Sequence, residues 1–187
     1  IRDRLAGVYD DMMRPFVQDP WATRNAYIDI VLDRSDDNVR RRLREWTERD
    51  LTPPETSTVL KLLEMQRNTM LMYTSCGWFF DDIAGIETLQ IMLYAARAIQ
   101  LCRDVNGLDL EPEFRDRLEK APSHKGLLPN GKAIYDTYIM PAKVDLERVG
   151  AHFALSSLFQ EGEAESTEIF TYSATIDRFQ QLVAVLS

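Results

Sequence analysis

The sequence predicts a mainly α fold: a multi-helix bundle around one central buried helix, with a short β segment at the C-terminus. Three observations predict it. The run IETLQIMLYAARAIQLC (86–102) is apolar almost all round, the pattern of a helix covered by neighbours on every side. The segments before it repeat apolar residues at three- and four-residue spacing. No βα alternation appears, and period-two alternation is confined to the end of the chain, where Phe170, Tyr172, Ala174 and Ile176 alternate with Thr171, Ser173 and Thr175.

The elements follow in order. IRDRLAGVYDDMMRPFV sets Leu5, Val8, Met12 and Phe16 near one helical face, and Pro15 and Pro20 end it. A second helix is expected from Trp21 to Leu32 and a third from Asp36 to Glu48. The string DLTPPETST (50–58) combines tandem prolines with cap-type residues, so the chain breaks there and a fresh helix begins. Val59, Leu62, Leu63, Met65, Met70 and Tyr73 carry that long helix to residue 74. The central helix runs from Ile86 to Cys102, a short one lies near Pro112 to Glu119, APSHKGLLPNGK is an irregular loop, and a last helix spans Ala142 to Leu158. Two regions result: a helical bundle over 1–160, and an acidic linker (EGEAEST) with a β tail over 161–187.

Composition excludes several functions. The 187 residues are 45% hydrophobic and 10% aromatic, which suits one folded domain with a real core. The net charge of −8 opposes phosphate backbones, and the basic run Arg40-Arg41-Arg42 with Arg44 is interrupted by Glu45 and Glu48, the pattern of a solvated helix face; no nucleic acid is expected as partner. No apolar run is long enough to span a bilayer and the start carries no signal-peptide pattern, so no membrane role is expected. Two cysteines, Cys76 and Cys102, without metal-type spacing or a disulfide framework, fit the cytoplasm. A chain that starts without methionine, already in a helical pattern, suggests a piece of something larger.

Standard catalytic motifs are missing: there is no Gly-rich phosphate loop, no GxSxG and no HExxH. His124 and His152 lack a glutamate three residues earlier, so neither a metal nor any other cofactor is expected. Glu87, Gln90, Tyr94 and Arg97 form a polar stripe on the apolar helix, which an internal network or a bound group must satisfy; the network is favoured.

The segment TSCGWFFDDIAGIETLQ (74–90) lies between two long helical stretches and is itself not explained by helix formation. Two glycines are unfavourable inside a helix, and adjacent aspartates sit beside a Trp-Phe-Phe cluster. Gly77 and Gly85 are expected to bracket a tight, non-helical turn with Gly77 at positive φ, and Asp82 or a neighbour to cap the central helix. Asp81, Asp82 and Glu87 have the chemistry of an acid and a base, but carboxylates before a helix are more often caps, and no catalytic residue is expected in this chain. Trp78, Phe79 and Phe80 read by themselves as core.

The stretch LLEMQRNTMLMYTSCGWFFDDIAGIETLQIMLYAARAIQL, with DPWATRNAYIDIVLDRS and VDLERVGAHFALSSLF, resembles the helical family labelled domain of unknown function 3536. That resemblance implies a place downstream of a glycoside hydrolase family 57 catalytic barrel on the same polypeptide. In family 57 enzymes a helical region after the barrel carries a Ser-Asp-Trp-type motif whose Trp helps build the glucan site. Ser75-Cys76-Gly77-Trp78-Phe79-Phe80 is similar in position and aromatic content, although no Asp precedes Trp78. It implies an accessory domain that helps close an α-glucan cleft, with Trp78, Phe79, Asp81, Asp82 and Glu87 as substrate-binding residues. An aromatic platform beside carboxylates suits a sugar's apolar face and hydroxyls. Cleavage itself needs two carboxyls about 5 Å apart, which in that family come from the barrel. The alternative is a structural or protein-interaction module.

Overall fold

A computed structural model describes residues 1–79, 82–157, 166–169 and 172–175. Its two long helices, α5 (Pro53–Leu71) and α7 (Ile86–Asn106), pack on each other at the centre of residues 1–143. Before them come α1 (Arg2–Met13), α2 (Pro20–Ala26), α3 (Ile28–Leu32) and α4 (Asp36–Thr47). Between them lies the single turn α6 (Cys76–Phe79). After them follow α8 (Glu111–Glu119), α9 (Gly131–Ile134), a π-helical segment Tyr135–Ile139 and a 3-10 turn Met140–Ala142. The chain then forms α10 (Leu146–Ser157) and two strands, β1 (Ser166–Ile169) and β2 (Tyr172–Thr175).

Local chemistry sets most of these boundaries. The tandem prolines begin α5 because its first N–H groups have no intrahelical partner to lose. Glu55 reaches back to the Thr52 amide at 2.8 Å and closes a capping box. Asp19 starts α2 by accepting the amides of Trp21 and Ala22 at 2.9 and 3.0 Å. Glu48 ends α4 at φ 55, and Gly107 ends α7 at φ 78, the left-handed position that glycine takes without penalty.

The helix expected over Trp21–Leu32 is two helices. It breaks at Tyr27, whose amide bonds to Arg24 O and whose buried hydroxyl donates to Glu64 at 2.8 Å. A distant buried carboxylate thus accompanies a break that no proline or glycine marks.

Along the first helix and the turn after it the buried residues are Leu5, Tyr9, Met13 and Val17; of the expected stripe Leu5 is among them, while Val8, Met12 and Phe16 flank them, half-buried. These buried residues join Val59, Leu62, Leu63 and Met65 of α5 and Ala98, Ile99, Leu101 and Cys102 of α7 in the main core. Each fully buried aliphatic side chain there contributes about 1.5–3 kcal/mol. A second cluster lies against α7: Met92 and Ala96 with Ile134, Tyr135 and Ile139. Having a core on two sides makes α7 central. Its burial is nevertheless concentrated between Met92 and Cys102, because the first turn is open and Ile86 is 76% exposed. The polar stripe follows that open side: Gln90 is exposed, Glu87, Tyr94 and Arg97 are half-buried, and Arg97 donates to Gln100 at 2.8 Å within the same helix.

Buried charges are paired. Glu64 accepts from Tyr27 and from Arg34 at 2.7 Å. Glu111, at the start of α8, accepts from the Tyr135 hydroxyl at 2.7 Å and from Lys143 at 2.6 Å, which ties the π-helical segment and the residues after it to α8.

The chain divides into two compact units, Ile1–Lys143 and Val144–Ser187. In the second, Asp145 opens α10 by accepting the Arg148 amide at 2.8 Å. β1 and β2 pair antiparallel, with Ser166 opposite Thr175 and Ile169 opposite Tyr172. Phe170, Thr171 and Ile176 lie outside the described residues.

Candidate functional site

After α5 the chain turns through Tyr73 and Thr74 and makes the one-turn helix α6, with the Gly77 amide on Thr74 O and the Phe79 amide on Ser75 O. α6 lies on α7. The Thr88 hydroxyl donates to Gly77 O at 3.1 Å, and a Cβ on Gly77 would stand 2.2 Å from Cγ1 of Ile91. This overturns the expectation of a left-handed Gly77: the positive-φ glycines among the described residues are Gly107 and Gly126. Gly77 is there because one helix turn passes too close to another for any side chain. Gly85 has ordinary extended geometry at φ −65 and is itself the residue that precedes α7.

Asp82 does not cap α7, which begins without a side-chain cap. Its Oδ1 accepts the Ala84 amide at 2.8 Å and the Ser123 hydroxyl at 3.0 Å; its Oδ2 accepts the amides of His124 and Lys125 at 2.7 and 3.1 Å. The Ala84 and His124 amides, aided by Ser123 and Lys125, hold this carboxyl down at about 2. An acid that gives up its proton so readily is a permanent anion and an anchor, not a proton donor.

Asp82 anchors the loop over residues 121–131. That loop is closed on itself by Ser123 N to Pro129 O (3.0 Å) and Gly131 N to Ala121 O (2.9 Å), turns at Gly126 with φ 87, and ends where Asn130 caps α9. Gly131 admits the 82–85 turn: a Cβ there would meet Ile83 Cδ1 and Leu118 O, both at 2.9 Å. Ile83 in turn packs on the second core cluster. A short-range turn and a loop some forty residues later are therefore one rigid assembly.

The expected site residues fall as follows. Phe79 is in α6 and 74% exposed, not core. Trp78 contributes its main chain to α6, its side chain lying outside the described part of the structure, and Asp81 lies outside the described residues. Asp82 faces the loop, while Glu87, half-buried in the first turn of α7, has its Oε2 beside Gly85. Sequence reasoning missed Ser123, His124 and Lys125 as partners of Asp82; the Gly and Pro punctuation marked a loop but not what held it. Among the described residues no group of three or more His, Cys, Asp or Glu side chains is arranged to hold a metal, and no helix is long and apolar enough to cross a membrane.

A model of the domain of unknown function DUF3536 matches residues 1–185, nearly the whole chain. The chain belongs to the DUF3536 family. No curated protein and no solved structure matches it. The 74–90 segment and the loop that Asp82 holds both lie within the matched residues.

Proposed function

We propose that this DUF3536 domain is the accessory helical domain of a glycoside hydrolase family 57-like, polysaccharide-active protein, packing on a separate catalytic barrel of the same polypeptide and helping to form its α-glucan cleft. The observation that carries the reading is Phe79: an aromatic ring 74% exposed on a turn pressed onto α7, with the next described residue, Asp82, clamped to the loop over residues 121–131. A large aromatic held out in solvent on a rigid support is what a sugar's apolar face requires. Phe79 and Trp78 supply the platform in this reading, Asp81 and Glu87 accept sugar hydroxyls, and Asp82 sets the position of the turn.

The domain supplies binding and not cleavage. With Asp82 committed to four donors, the acid and the nucleophile of glycoside cleavage belong to the barrel. The free thiols Cys76 and Cys102 agree with a cytoplasmic setting.

A second reading, a non-catalytic interaction domain, is favoured by further apolar exposure near the same segment: Tyr73 at 60% and Ile86 at 76%. One experiment separates them. The natural polypeptide carrying the domain is assayed for hydrolysis and transfer on α-glucans, alongside Phe79→Ala and Trp78→Ala. The glucan reading expects activity that both variants lower with the fold intact. An inactive parent, or variants as active as the parent, overturns it.

A further inference from the structure

The last turns of α4, the connection 48–52 and the first turn of α5 line an open groove of about 760 Å3. It shares no residue with the Phe79 segment. Four of its lining residues, Arg40, Arg41, Arg44 and Arg49, are arginines, in a chain whose net charge is −8. They are not equally engaged. Arg49 forks onto Glu55 at 2.7 and 3.1 Å and holds the connection to α5. Arg40 pairs with Asp37 where both side chains are over three-quarters exposed, so water competes for the pair. Arg44 stands 3.6 Å from Asp50, beyond hydrogen-bond length. Arg41 donates to the Asn38 amide oxygen at 2.7 Å and forms no ion pair among the described residues. Arg41 and Arg44 are three residues apart on α4, so their Cβ atoms are about 5–6 Å apart on one face.

We propose that this groove binds an acidic polypeptide segment, with carboxylates seated on the Arg41 and Arg44 guanidiniums and apolar side chains on the half-buried Leu51. Charge and shape select this occupant. A planar guanidinium matches a carboxylate with two parallel hydrogen bonds. Glu45 and Asp50 line the same groove. A phosphate polymer, charged at every unit, places negative charge against them. A peptide can set its carboxylates at the arginines and leave neutral groups opposite Glu45 and Asp50.

The test is fluorescence anisotropy with a labelled peptide of alternating Glu and Leu, beside its Gln/Leu counterpart and inorganic polyphosphate. Saturable binding of the Glu/Leu peptide is expected, weakening with salt, with no binding of the Gln/Leu peptide. Arg41→Ala with Arg44→Ala should weaken it about tenfold or more, and the paired Lys variants should restore part of the loss. Arg41→Ala removes the donor to the amide oxygen of buried Asn38 and should lower the melting temperature slightly, whereas Arg44→Ala alone, at an exposed side chain, should leave it unchanged and serves as a second variant on the same readout. Absence of saturable peptide binding, or equal binding by the double Ala variant, overturns the proposal. Polyphosphate binding tighter than peptide binding also overturns it and assigns the groove to phosphate chemistry.

Discussion

The backbone amide of His124 donates to Asp82 Oδ2 at 2.7 Å across 42 positions of sequence. That bond, with those from Ser123 and Lys125, makes the turn over residues 82–85 and the loop over residues 121–131 parts of one support. Because Asp82 titrates at about 2 when folded, below the usual aspartate value near 3.9, its contribution is complete above about pH 5 and is lost as pH falls towards 2. The His124 and Lys125 amide resonances should therefore shift together, with a midpoint near 2. In Asp82→Asn that shared shift should vanish, and both amides should exchange with solvent faster at neutral pH.

Gly77 tests close packing against backbone freedom. Gly77→Ala places its Cβ 2.2 Å from Ile91 Cγ1 and 3.1 Å from Ile91 Cβ, near the branch of a stiff side chain rather than its tip. It should cost about 1–3 kcal/mol in denaturant melts. Adding Ile91→Ala should recover part of that loss. If Gly77→Ala is harmless, or the double variant is no better than additive, the two turns are not in contact as described.

The Glu64 cluster should govern acid stability. Burial pushes the Glu64 carboxyl up, but hydrogen bonds from Arg34 and Tyr27 outweigh it and leave the carboxyl below its usual value. A depressed folded value means stability that is complete above about pH 5 and declines as pH falls through 4 and lower. Glu64→Gln should flatten that decline in pH-dependent melts, and Tyr27→Phe, which leaves Arg34 in place, should cost about 1–3 kcal/mol.

Phe79→Ala should leave the melting temperature within error, since an exposed side chain contributes within about 0.5 kcal/mol. Leu62→Ala, at a fully buried position of α5, should cost about 2–5 kcal/mol. If Phe79→Ala destabilises as much as Leu62→Ala, its ring is core and the cleft reading of α6 fails.

The chain by itself, free of contaminating amylase, should release no reducing sugar from starch or maltodextrin. Release at a rate proportional to chain concentration would show that it carries its own acid and nucleophile.

Local chemistry made much of this protein legible from its residues alone. The period of Val59, Leu62, Leu63 and Met65 announces α5, the prolines after Thr52 place its start, and the apolar run from Ile86 to Cys102 marks α7 as central. These signals act within a few residues, through backbone geometry and the face a helix must bury, so they survive in the linear order. Tertiary structure alone decided the near-contact of Gly77 with Ile91 and the loop partners of Asp82, because each depends on an atom 14 to 43 residues away. A glycine needed for close approach reads the same in sequence as one needed for a turn, and an aspartate that caps reads the same as one that clamps. Only folding brings the second atom into place and settles which it is.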